Sequence, residues 1–196
     1  GLKNEGAKIT AQLLETTDAM EVVNDILIPA LDSAGKLFEQ GKIFLPQLIQ
    51  TASVAQAAFE VIKTTLIERN AAPVSRGEIV LATVKGDIHD IGKNIVRVLL
   101  ENYGYTVLDL GRDVPCQLVA DTAKEHGVKL VGLSALMTTT LGAMEETIQL
   151  VKASCPDCKI VVGGAVLTAD YAEKIGADYY AKDAMETVAV AKEVVG

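Results

Sequence analysis

Two hydrophobic rhythms divide the chain. Up to Glu68, apolar positions recur every three or four residues, the period of helices that bury one face. "EGAKITAQLLET" (Glu5–Thr16) predicts one helix. "DAMEVVNDILIPALDSAGKLFEQG" (Asp18–Gly41) predicts a second, with Val22, Ile26, Ile28, Leu31, Leu37 and Phe38 near one face. Asp18 suits an N-cap with Glu21 three residues on, as in a capping box, and Gly41 ends the pattern. "LPQLIQTASVAQAAFEVIKTTLIE" (Leu45–Glu68) predicts a third, with Pro46 in the first turn, where its missing N–H is harmless. Helices this apolar must cover one another, so a small bundle is expected, with room for a fourth helix upstream of Gly1.

After "RNAAPVSRG" (Arg69–Gly77), a linker-like stretch, the rhythm changes. Short β-branched runs at "EIVLATV", "YTVLDL", "LVGLSAL", "KIVVGGA" and "ADYYA" alternate with helical patterns near 91–103, 115–126, 141–153, 167–175 and 184–195. Strict βα alternation predicts a parallel sheet covered by helices on both faces. The expected fold is therefore mixed. An all-α helical bundle over 1–72 precedes an α/β Rossmann-like (flavodoxin-like) domain with a five-stranded parallel sheet over 73–196.

Such sheets bind ligands beyond the carboxyl ends of their strands. The unusual residues gather there: Asp87, His89 and Gly92 after the first strand, Arg112 and Asp113 after the second, Ser134 to Thr140 after the third, and Gly163 to Thr168 after the fourth. That convergence predicts a site on this edge.

Composition removes several classes. With 49% hydrophobic and 22% charged residues, a chain of 196 can bury a real core. A net charge of −8 argues against nucleic acid or an anionic membrane as partner, since both need clustered cations. No apolar run approaches the roughly 20 residues of a membrane span. Three cysteines are too few for a disulfide framework and suit a reducing, cytoplasmic setting. "CPDC" (Cys155–Cys158) has CxxC spacing but no second pair, and reads as a turn between helix and strand. No GxGxxG follows the first strand and no GxxxxGK[ST] occurs, which removes dinucleotide and P-loop sites.

His89 carries two readings: a satisfied polar residue near a helix start, or a metal ligand. Asp87 can accept from the ring and set its tautomer, as carboxylates do for metal-binding imidazoles. Zinc would need three or four protein ligands, and no second histidine or cysteine stands at a matching strand end. His126 sits at a helix C-terminus, where a partly charged imidazole is favoured anyway. A lone protein ligand suits a metal whose other positions come from a macrocycle. Gly163 and Gly164 would let backbone approach a flat ligand, and Ser134, Thr138, Thr139 and Thr140 supply small hydrogen-bonding groups.

Asp87-x-His89-x-x-Gly92, Ser134-x-Leu136 and Gly163-Gly164, separated by 41 and 26 residues, resemble the DxHxxG…SxL…GG signature of cobalamin-binding domains. "LFEQGKIFLPQLIQTA" (Leu37–Ala52) is similar to the helical cap of cobalamin-dependent methionine synthase, so the resemblance spans nearly the whole chain. Next closest are the corrinoid proteins of methanol and methylamine methyltransferases.

The resemblance implies cobalamin, as methylcobalamin in the base-off/His-on state, with His89 as lower ligand to cobalt. Asp87 would hydrogen-bond His89, and Thr140 would complete a relay to solvent; these three are the implied catalytic residues. Gly86, Ile88, Asp90, Ile91 and Gly92 would line the cofactor beside them. Ser134, Leu136, Thr138, Gly163, Gly164 and Ala184 would accommodate its displaced nucleotide tail. Phe38, Leu45 and Leu48 would cover the methyl-bearing face, with the linker as hinge.

By resemblance, the chain is a methyl carrier that takes a methyl group from methyltetrahydrofolate and gives it to homocysteine. Methyl-donor and methyl-acceptor domains or subunits, and a reductive activation partner, would lie outside it, and the chain alone would not turn over. The alternative is a standalone corrinoid protein of a methanol- or methylamine-type system. A cobalamin sensor is disfavoured because the chain has no tryptophan. A phosphoacceptor or flavin module would leave the bundle and the motif spacing without a purpose.

Overall fold

The computed structural model describes residues 2–68 and 75–196. Residues 69–74, with most of the expected hinge, lie outside the described residues. The chain divides into two compact units, Gly1–Ser75 with Glu101–Gly104, and Arg76–Leu100 with Tyr105–Gly196.

The first unit is helical: α1 (Leu2–Leu13), α2 (Ala19–Glu21), a π-helical stretch (Val22–Leu27), α3 (Ile28–Glu39) and α4 (Leu45–Glu68). The expected continuous helix from Asp18 is thus interrupted. Pro29, at the start of α3, has no N–H to give and would crowd the carbonyl one turn back. The widened turn just before it accommodates both problems. At the far end Gly41 adopts φ +68°, and the N–H groups of Gly41 and Lys42 close onto the carbonyls of Phe38 and Leu37 at 2.9 Å each. Leu14, Ala19, Val22, Val23 and Ile62 form the core. Gly6 lets α1 lie close on α4, since a Cβ there would meet Val54 Cγ1 at 2.6 Å. An apolar cavity of about 450 Å³, lined by Leu2, Ile9, Leu13, Ile26, Leu31 and Val54 among others, lies between these helices.

In the second unit, the described residues form five strands, β1 (Glu78–Thr83), β2 (Thr106–Asp109), β3 (Leu130–Ser134), β4 (Lys159–Gly163) and β5 (Tyr179–Ala181). They pair in parallel in the order β2-β1-β3-β4-β5. The helices between and after them are α5 (Ile91–Asn102), α6 (Cys116–His126), α7 (Leu141–Ser154), α8 (Ala169–Lys174) and α9 (Ala184–Val194).

Alternation along the strands sends Val80 and Ala82, Val131 and Leu133, and Ile160 and Val162 to one face. There they pack against Val119, Ala120 and Ala123 of α6 and Met144, Ile148 and Val151 of α7. Asp183 caps α9 by accepting the N–H groups of Met185 and Glu186 at 2.9 Å each. Thr83, Ser134 and Gly163 are partners across three neighbouring strands, so the carboxyl ends of β1, β3 and β4 are level. The strand order reverses between β1 and β3, the place where this architecture opens a crevice. No helix among the described residues is long and apolar enough to cross a membrane.

Candidate functional site

The site is organised around one carboxylate. Asp87 follows the end of β1 and its side chain is wholly buried. Its Oδ1 accepts the backbone N–H of His89 at 2.9 Å and lies 2.8 Å from His89 Nδ1. Its Oδ2 accepts the N–H groups of Leu136 at 2.7 Å and Met137 at 3.2 Å, and lies 3.2 Å from Thr140 Oγ1. Burial raises the carboxyl's pKa, but the hydrogen bonds from His89, Leu136 and Met137 outweigh it and hold it at about 2. The anion therefore persists inside the protein.

An ionised acceptor at Nδ1 selects the tautomer that carries its proton there, so His89 Nε2 presents a lone pair. The imidazole is 46% exposed, and Nε2 has no protein partner among the described residues. Thr140 has one hydroxyl proton, for which Asp87 Oδ2 and the Met137 carbonyl, 2.8 Å away, compete.

The same bonds explain where β3 stops. The sequence pattern runs on to Leu136, but Asp87 captures the N–H groups of Leu136 and Met137, and the chain leaves the sheet after Ser134. A short 3₁₀ turn, Thr138–Thr140, then leads into α7, with Thr138 exposed and Thr140 buried. Asp90 opens α5 through its carbonyl, which accepts the Asn94 N–H at 2.8 Å. The structure thus gathers Asp87, His89, Leu136 and Thr140 around one carboxylate, with Gly86, Ile88, Asp90, Ile91 and Gly92 on the same loop and first helical turn.

The glycine pair has an internal reason to be there. Gly164 adopts φ +138°, and a Cβ on it would run into the Ala135 carbonyl oxygen. A Cβ on Gly163 would stand 3.1 Å from the Ala181 carbonyl oxygen. Both serve the packing of the loop after β4 against neighbouring backbone. Gly92 differs: a Cβ there would meet nothing within 4 Å. Ala184 is the first residue of α9, beside its Asp183 cap. In the helical unit Phe38 is half-buried and Leu45 is exposed, but Leu48 is 3% exposed and belongs to the core. Phe44, which the helical period did not single out, is 69% exposed.

Several observations fit a flat, largely apolar ligand whose metal takes one protein nitrogen. No group of three or more His, Cys, Asp or Glu side chains arranged to hold a metal ion occurs among the described residues, so His89 would be a lone protein ligand. Ile88, Ile91, Leu136 and Met137 are 60, 79, 44 and 39% exposed on the two segments that Asp87 ties together. Large apolar side chains left outside in one neighbourhood mark a binding surface. On the last residue of β1, level with Ser134, the fully buried Thr83 Oγ1 has no hydrogen-bond partner among the described residues. A buried hydroxyl is rarely left so unless something else satisfies it.

The B12 binding domain family matches residues 77–189, and a second model described as a B12 binding domain matches residues 2–63. This chain belongs to the B12 binding domain family. Its cofactor class is accordingly a corrinoid.

Among curated relatives, dimethylamine corrinoid protein 1 of Methanosarcina acetivorans is 43% identical over 91% of this chain and 84% of its own length. Trimethylamine corrinoid protein 1 of Methanosarcina mazei is 39% identical over 95% of this chain and 88% of its own length. Of solved structures, the methanol:cobalamin methyltransferase complex of Methanosarcina barkeri matches with a TM-score of 0.81 at 27% identity, covering 99% of this chain and 79% of that one.

These relatives overturn the expectation of a methionine synthase module; they support the corrinoid-protein alternative. The physical reason is that the resemblance rested on the signature of cobalamin-binding domains in general, which points to a cofactor class and not to a methyl donor or acceptor.

Proposed function

We propose that this chain is the corrinoid-carrying protein of a one-carbon methyltransferase system of the methylamine or methanol type. Sequence identity near 40% to dimethylamine and trimethylamine corrinoid proteins favours a methylated amine as methyl source. Partner methyltransferase subunits would load and unload the methyl group, and a reductive partner would restore an oxidised cofactor. The observation that carries the reading is the Asp87–His89 pair, an imidazole whose Nδ1 is engaged and whose Nε2 has no partner among the described residues, on a loop that also exposes Ile88.

When bound, a corrin supplies cobalt as the atom that holds and releases the methyl group. The residues do the rest. His89 would hold the cobalt through Nε2, as the resemblance implies. Asp87 keeps the Nδ1 proton in place and stabilises any positive charge that ring acquires. Thr140 adjusts that carboxylate by giving its hydroxyl proton to Asp87 or to the Met137 carbonyl. Ile88, Ile91 and Leu136 exclude water beside the ligand, and a displaced nucleotide tail would lie toward Ser134 and the loop of Gly163 and Gly164.

The test is reconstitution. Purified protein mixed with hydroxocobalamin should retain one corrinoid per chain through gel filtration. Under reducing, oxygen-free conditions it should accept methyl groups from dimethylamine, trimethylamine or methanol only with the matching methyltransferase subunit present. Failure to retain a corrinoid refutes the reading. Retention with methyl loading from none of these donors refutes the assignment of the system.

A further inference from the structure

Asp113 sits in a backbone conformation that its side chain makes unfavourable. Its φ is +53°, and among the described residues it alone of the non-glycines has a positive φ. Aspartate enters the left-handed region more readily than most residues, yet glycine would enter it freely. Gly111, in the same loop, does so at φ +90°. Non-glycine residues held this way cluster at functional sites.

The conformation has a product. The loop after β2 runs beside the end of β1: Thr83 N–H donates to the Gly111 carbonyl at 2.9 Å, and Val114 N–H donates to the Thr83 carbonyl at 3.1 Å. Between these two bonds Asp113 turns towards the loop that carries His89. Its N–H donates to the Asp87 carbonyl at 2.9 Å, and its Oδ1 accepts the Gly86 N–H at 2.7 Å. One residue therefore grips the peptide groups on both sides of the Gly86–Asp87 step. Asp113 is exposed and forms no ion pair among the described residues, so neither core packing nor charge pairing accounts for it.

We infer that Asp113 is a positioning residue for the metal-ligating imidazole, fixing Gly86 and Asp87 so that the buried carboxylate meets His89; this rests on the corrinoid reading above. Gly86 itself has φ +84° and, without its acceptor, the freedom to rotate. Rotation there moves Asp87 against His89, Leu136 and Met137 together. Asp113 acts through Asp87 and touches no cofactor.

Three substitutions separate the possibilities. Asp113→Asn keeps the Oδ1 acceptor and tolerates the left-handed backbone. Asp113→Gly suits that backbone and keeps the fold, but removes the acceptor. Asp113→Ala removes the acceptor and retains the strain. Each protein, labelled with ¹⁵N-histidine, is loaded with hydroxocobalamin and reduced to the cobalt(II) state. The two-line ¹⁵N splitting of its EPR spectrum, distinct from the three-line splitting of the cofactor's own base, reports the fraction of cobalt bound to His89. In parallel, ¹⁵N NMR of the unloaded proteins reports the tautomer of His89. Wild type and Asp113→Asn should match, whereas Asp113→Gly and Asp113→Ala should lower the ratio of ligated to unligated cobalt roughly fivefold or more. Both should also lose part of the Nδ1–H tautomer. Undiminished splitting in Asp113→Ala overturns the inference. So does full splitting in Asp113→Gly alone, which would assign the effect to backbone conformation rather than to the carboxylate. Absence of the ¹⁵N splitting in wild type refutes the ligand reading instead. The NMR comparison then decides for Asp113: a tautomer shift supports its positioning role and an unchanged tautomer removes it.

Discussion

Asp87 Oδ1 holds His89 at two points, the backbone N–H at 2.9 Å and ring Nδ1 at 2.8 Å. Two attachments to one oxygen fix the direction of the imidazole as well as its place. The other oxygen fastens the segment after β3, so a single anion aligns both walls of the site.

His89→Gly should leave the apolar walls intact and remove only the nitrogen. The variant should still retain hydroxocobalamin, while the cobalt(II) EPR spectrum loses its nitrogen splitting. A spectrum unchanged by the substitution would show that the ligand is another group.

Asp87 gives a pH signature with a definite sign. Its folded pKa of about 2 lies below the ordinary 3.8, so its contribution is complete above 3.8 and is lost as the pH falls toward 2. Asp87→Asn puts an amide N–H₂ against donors and should lower stability by about 2 kcal/mol at neutral pH. In urea titrations at several pH values, the gap between wild type and variant should narrow as the solution is acidified below 3.8. A gap independent of pH would mean that the carboxylate is not the group responsible.

The motif glycines should behave in opposite ways. Gly164→Ala forces a side chain against the Ala135 carbonyl at an unfavourable φ, and should cost about 3 kcal/mol or prevent folding. Gly92→Ala points into open space at the start of α5 and should stabilise the unloaded protein, by up to about 1 kcal/mol from helix propensity. On the proposed function it should nevertheless weaken corrinoid retention, because the ligand would occupy that space. Equilibrium unfolding and cobalamin titration of the two variants measure both halves.

Thr140→Val preserves the branched shape and removes the hydroxyl. Asp87 and the Met137 carbonyl lose a shared donor, for an expected loss of about 1 kcal/mol in denaturant unfolding. Thr140→Ser should restore most of it. The variant should also alter the proton count on reduction of the loaded protein more than it alters cofactor affinity; pH-stat measurement beside a binding titration separates these.

What the sequence could reveal followed from the kind of signal each feature leaves. Strand and helix rhythms are side-chain patterns, so the helical first part and the five-stranded parallel sheet with its covering helices were readable. Pro29 was passed over because apolar spacing continues through it, even though its missing N–H forces the π-helical turn. Asp87 and His89 stood out as polar residues in an apolar run. The Leu136 and Met137 N–H groups that hold Asp87 did not, because a backbone donor has no letter of its own. Asp113 was visible only as a loop residue at the right strand end, since its left-handed φ depends on the path of the chain. That Leu48 is buried while Phe44 and Leu45 are exposed was not readable, because apolar residues surround α4 and the buried side of such a helix is set by its neighbours. A methyl source was not readable, since on the proposed function a partner subunit would select it.

On the proposed function, the exposed Ile88, Ile91, Leu136 and Met137 tie cofactor supply to self-association. Without its corrinoid the chain would offer this apolar surface to other copies of itself, and with the cofactor bound it would offer less.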